Sequence, residues 1–110
     1  ARTGRPAQLV NRTHADSLGR GWVAVDASGF LHAKLVGFGT RRVTQGCVDT
    51  CAAGVQLVEP LAGGIRGFFD ISNGYGCSPL AVPGLVSFLA QYGDRFVRIA
   101  VVAKGAPLRI

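Results

Sequence analysis

The spacing of apolar residues changes period several times along this chain, and each change marks an element boundary. Trp22 to Val25 and Phe30 to Val36 are strand-like runs joined by Asp26-Ala27-Ser28-Gly29, whose glycine supplies the positive φ of a hairpin loop. In the second run Leu31, Ala33 and Leu35 alternate with His32 and Lys34. Period-two alternation gives one buried face and one wet face, so the sheet is expected to be covered on one side only.

After Gly37-Phe38-Gly39 the period lengthens. Val43, Cys47, Val48, Cys51, Ala52, Val55 and Val58 recur at steps of three and four, which predicts an amphipathic helix over 41–58 with Thr40 as its N-cap. Gly46 and Gly54 each weaken it by roughly 1 kcal/mol relative to Ala, which implies close packing at those points or an early end. Glu59-Pro60 stops it, because the residue before proline is pushed out of the α region. Ile65 to Ile71 returns to strand, and Ser72-Asn73-Gly74-Tyr75-Gly76 reads as turn chemistry. Ser78-Pro79 predicts an N-cap followed by proline at the first helical position, with Pro83 as a second, tighter start. Leu85, Phe88, Leu89 and Tyr92 carry helical spacing up to Gly93, and Phe96 to Ala103 is the near-continuous apolar run of a central strand.

Residues 1–19 lack periodicity and read as a flexible or loosely docked leader ahead of a single α/β domain over 20–110. The order is therefore β-β-α-β-α-β. Right-handed crossovers place both helices on one face of a mixed four-stranded sheet.

Composition narrows the function classes. The 110 residues are 48% hydrophobic and 16% charged, enough for one hydrophobic core and against disorder through low hydrophobicity. No apolar run approaches the roughly 20 residues of a membrane span. The chain begins at Ala1 without a secretion signal, as expected of a trimmed chain or fragment, and Asn11-Arg12-Thr13 is a chance sequon. The net charge of +6 points first to nucleic acid, but Arg2, Arg5, Arg12 and Arg20 all lie in the first twenty residues. Residues 20–110 without Arg20 keep eight basic and five acidic residues, a net of +3, with no basic helix face or aromatic–basic motif in sequence. Nucleic acid is thus disfavoured as a partner. Three cysteines form no paired framework, which makes a reducing, cytoplasmic setting the default.

The hairpin, the glycine-rich turn after Phe69-Asp70-Ile71-Ser72, and the strand Arg98-Ile99-Ala100-Val101-Val102-Ala103-Lys104-Gly105 together resemble the STAS domain of anti-sigma-factor antagonists. That resemblance covers residues 20–105. The first tetrapeptide is similar to the family's Asp-Leu-Ser, and the last run to its Arg-Leu/Ile-x-Leu-Val-Gly. It implies a non-enzymatic domain that binds a regulatory protein and is switched by phosphorylation at the start of the second helix. The family's Asp-Ser-Ser/Thr-Gly is replaced by Gly76-Cys77-Ser78-Pro79-Leu80, which leaves Ser78 as the hydroxyl nearest the switch position.

Each candidate has a plain reading beside the chemical one. Ser78 is either a phosphosite or a cap worth roughly 1 kcal/mol. Ser72, Asn73, Gly74, Tyr75, Gly76 and Cys77 form either an interaction or ligand loop, holding a small anion or lipid head group, or a turn that needs only its glycines. Cys47 and Cys51 share a helix face as metal ligands would, but both lie in the apolar stripe, so no metal and no cofactor is expected. Cys77 at a helix start has the position of a nucleophile, and a Cys77 enzyme is an alternative reading, but no histidine is near it in sequence. His32 reads as solvated and His14 as part of the leader. Trp22 and Phe30 either mark an association surface on the open sheet face or pack beneath a cover. Homodimerisation would use that open face or the hairpin edge.

Overall fold

The structure, a computed structural model, describes residues 7–103. Five strands and two helices form it: β1 (Gln8–Ala15), β2 (Gly19–Asp26), β3 (Phe30–Gly39), α1 (Arg41–Val58), β4 (Ile65–Cys77), α2 (Val82–Tyr92) and β5 (Phe96–Val102). The sheet order follows the chain, β1-β2-β3-β4-β5. The first three strands pair antiparallel, and β3–β4 and β4–β5 pair parallel across α1 and α2. This is an α/β fold with a mixed sheet and both helices on one face.

The helix over 41–58 has the expected bounds, and the Thr40 hydroxyl accepts from the Val43 amide as its cap. Its stripe of Val43, Cys51, Val55 and Val58 meets Val23, Val25, Leu31 and Ile65 from the sheet, all buried. Phe88 and Tyr92 of α2 close the same core, and Gln56 donates a 2.6 Å hydrogen bond to the Tyr92 hydroxyl. Burial of each such aliphatic side chain contributes about 1.5–3 kcal/mol. Both helix glycines are close approaches: a Cβ on Gly54 would lie 2.5 Å from a Val25 methyl, and one on Gly46 would lie 2.6 Å from the His14 ring.

Three expectations are corrected. The sheet has five strands rather than four, because Gln8–Ala15 of the supposed leader pairs along the whole of β2. Its inward side chains include Arg12 and His14, which hide an edge strand from a hydrophobic-period reading. The supposed turn Ser72–Gly76 is instead a continuation of β4, paired parallel to Val36–Gly39. The register shifts between Lys34 and Val36 and between Gly37 and Phe38 absorb its irregularity, as does Gly76 at φ 142°. Finally, the apolar run from Phe96 is an edge strand rather than a central one. The expectations for residues 1–6 and 104–110, including the Lys104-Gly105 end of the last motif, lie outside the described residues.

Candidate functional site

Midway along β4 the Asp70 carboxylate accepts from the Ser72 hydroxyl (2.6 Å) and the Ser72 amide (3.0 Å). These bonds hold its pKa below the ordinary value, the hydroxyl contributing most, with Lys34 and His32 adding smaller Coulombic attraction. The strand then projects Tyr75, 74% exposed, with its ring 6.2 Å from that of Phe38. Asn73 and Cys77 are also exposed, so these candidate residues line one rim as a strand. Their backbone is used in pairing with β3.

Ser78 is half-buried. Its amide donates to the Gly39 carbonyl at 2.8 Å, and its hydroxyl accepts from the Leu80 amide at 3.2 Å. It caps a single 3-10 turn, Pro79–Ala81, rather than α2 itself, which begins at Val82 with Pro83 in its first turn. Each of the two prolines thus starts a helical segment, the first a 3-10 turn and the second the α-helix. Ser78 therefore stands one turn ahead of α2.

The side chains of α2 are apolar on both sides. Leu85, Phe88 and Tyr92 face inward, while Val82, Val86 and Leu89, at steps of four and three, form an outer stripe with Leu80 just before them. Leu80, Val86 and Leu89 are 69%, 58% and 55% exposed. On β5, Val97, Ile99 and Val102 are also exposed. The sequence reading grouped Leu89 with Leu85, Phe88 and Tyr92 on one helical spacing and missed this stripe. The signal was present: too many apolar positions for one face of an eleven-residue helix.

Between α1, α2 and the middle of β3 and β4 lies a cleft of about 140 Å³. Apart from Lys34 and Thr44 its lining is apolar, with Leu35, Cys47, Val48, Phe69, Leu85 and Phe88 prominent. Burial pushes the Cys47 thiol up to about 11, and burial with the neighbouring Cys47 pushes Cys51 to about 12. All three cysteines are free thiols. Among the described residues no three His, Cys, Asp or Glu side chains gather as a metal site.

The histidines depart from their plain readings. His14 Nε2 lies 2.8 Å from the Thr50 hydroxyl, on a strand rather than in a leader. His32 is half-buried on the open sheet face, stacked on Phe68 at 5.1 Å and edge-on to Trp22 at 5.0 Å. Trp22 and Phe30 share that face, which neither described helix covers. No described helix is long and apolar enough to cross a membrane.

No family model and no curated protein matches the sequence. Among solved structures the chain is similar to an uncharacterized protein from the DUF3478 family with a SpoIIAA-like fold, from Shewanella loihica PV-4. The TM-score is 0.57 at 16% identity, over 96% of this chain and 74% of that one. At that identity the likeness is one of fold. The strand order and two crossover helices accord with it, and the chain carries the SpoIIAA-like α/β fold that the STAS resemblance implied.

Proposed function

We propose that this domain is a non-enzymatic regulatory module that binds a protein partner through the start and outer face of α2. The observation that supports this reading is the outer stripe of Leu80, Val82, Val86 and Leu89, a row of large apolar side chains left in water. Such rows mark association surfaces in soluble domains. Ser78 heads the stripe, and phosphorylation there would set about two negative charges beside Leu80 and oppose docking of an apolar partner. Free thiols in every described cysteine agree with a cytoplasmic setting.

A photo-crosslinking side chain at Val86 in the native host tests the reading. The expected result is one discrete adduct with another protein, lost when Leu89 is changed to Glu and reduced by Ser78→Asp. Adducts only with itself, or adducts indifferent to both changes, would defeat it.

The apolar cleft supports a second reading, a small-ligand module. Its lining suits a short hydrocarbon chain rather than an anion. Slower alkylation of Cys47 in the presence of a medium-chain fatty acid would favour that reading, and unchanged alkylation would remove it.

A further inference from the structure

The open face of the sheet gathers residues that are far apart in the chain. Register pairing places Arg20 and Trp22 of β2, Phe30, His32 and Lys34 of β3, Arg66 and Phe68 of β4, and Arg98 of β5 on the side away from the helices. Gly21, between Arg20 and Trp22, faces Val43 of α1, which fixes that alternation. Among the described residues, four cations thus share this face with two acids, Asp26 and Asp70. Both acids already have partners: Asp26 accepts from the Ser28 amide and hydroxyl and the Phe30 amide, and Asp70 accepts from Ser72.

Arg66 and Arg98 are direct neighbours in register on adjacent strands. Like charges so placed repel, and an anion between them would relieve that. The Arg66 guanidinium also lies 5.9 Å from the Phe30 ring centroid, within cation–π range.

Beside these cations is a hollow of about 100 Å³, lined by Gln8, Trp22, Ala24, Asp26, Phe30 and His32. Ala24 is its floor, and the aromatic rings stand around it. The indole is held in place: Trp22 Nε1 donates to Asn11 Oδ1 at 2.6 Å, and Asn11 Nδ2 donates to Gln8 Oε1 at 3.0 Å. The hollow has the scale of one planar ring and offers an amide and a carboxylate for its polar edge.

We infer that this face binds single-stranded nucleic acid, with bases stacked on Trp22, Phe30 and His32 and the backbone tracked by Arg66, Arg98, Lys34 and Arg20. Aromatic platforms interleaved with cations on an open sheet suit unpaired bases, whose π-faces are available for stacking. A duplex does not fit, because the face presents no helix or loop to enter a groove. An acidic protein would use the cations but leave the ring-sized hollow without an occupant. The surface is built from four strands, which is why no aromatic–basic motif exists along the sequence.

Trp22 is the only tryptophan, so its fluorescence reports on the face directly. The full chain is titrated with oligo(U) and oligo(dT) of about ten nucleotides at low and at physiological salt. Binding with quenching of Trp22 is expected, and preference between the two oligomers separates RNA from DNA. Trp22→Leu, which removes the reporter and is followed by fluorescence anisotropy of an end-labelled oligomer, should weaken binding by about tenfold or more. The double change Arg66→Gln with Arg98→Gln, at exposed positions that leave the core intact, should weaken it and lower the salt slope by about one to two. Absence of binding overturns the inference. So do equal quenching by inorganic polyphosphate, equal affinity for a duplex, and unchanged affinity in both variants.

Discussion

The His14 ring lies across α1 at Gly46, with Nε2 2.8 Å from the Thr50 hydroxyl. Thr50 spends its own proton on the Gly46 carbonyl at 2.9 Å, so the ring nitrogen is the donor between them. This contact ties β1 to the helix and explains a glycine in the middle of an otherwise regular α1.

It makes a prediction with a change of sign. Gly46→Ala would place a methyl against the ring, and overpacking should outweigh the gain in helix propensity, for a net loss of about 1 kcal/mol in urea unfolding. In a His14→Ala background the same substitution should stabilise by up to about 1 kcal/mol. Loss in both backgrounds would show that the ring is not what excludes the side chain.

Acid sensitivity should trace to two hydrogen-bonded carboxylates. Asp16 accepts from the Thr40 hydroxyl at 2.5 Å and from the Leu18 and Gly19 amides, and these bonds, Thr40 first, hold its pKa below the ordinary 3.8. Asp70 is lowered in the same sense by Ser72. A depressed folded pKa means that the unfolded chain binds the proton more readily. The stabilisation is then present above the unfolded value, near pH 4, and lost as pH falls through the folded value. The urea midpoint of the wild type should therefore fall below about pH 4. The double variant Asp16→Asn, Asp70→Asn should start lower at neutral pH and decline less across that window.

The parts of the fold legible in the sequence are those where one period dominates. Thr40 and the stripe from Val43 to Val58 set α1 to its ends because sheet packing selects that face alone. β1 was not legible, since its helix-side positions pass from Val10 to the exposed Arg12 and to His14, which hydrogen-bonds Thr50. Ser72–Gly76 carried turn residues but had a matching irregular partner in β3, and pairing of that kind is set by tertiary structure rather than local preference. Phe96–Val102 looked buried on both sides because its apolar residues serve an edge whose helix-side neighbour, α2, leaves Ile99 exposed. Of the candidate residues, Tyr75, Cys77 and Ser78 follow one another where β4 runs into the 3-10 turn. The stripe on α2 and the cationic face needed the strands and helices in position.

Gly54 makes a closer approach than Gly46, and the neighbour cannot move. Val25 is fully buried beneath it, with a methyl 2.5 Å from the place a Cβ would occupy. Gly54→Ala should cost about 2–3 kcal/mol despite better helix propensity, at the upper end of overpacking effects. Val25→Ala alone should also destabilise, by leaving a void. Combined, the two should cost less than the sum of the single losses, and an additive result in equilibrium unfolding would rule out the direct contact.

Thiol reactivity separates the three cysteines by environment. At neutral pH, Cys47 at about 11 against the ordinary 9.0 holds about a hundredfold less thiolate than an unperturbed thiol, and Cys51 at about 12 holds less again. Cys77 is exposed on the rim of β4. Alkylation of the native chain, followed by peptide mapping, should therefore modify Cys77 first, Cys47 far more slowly and Cys51 last, with the three rates converging in urea. Because Cys47 lines the apolar cleft, its native rate also measures how often that cleft opens to solvent. A Cys47 rate matching that of Cys77 would mean that α1 and α2 separate readily there, and the core contacts of Phe88 with Phe96 would have to be transient.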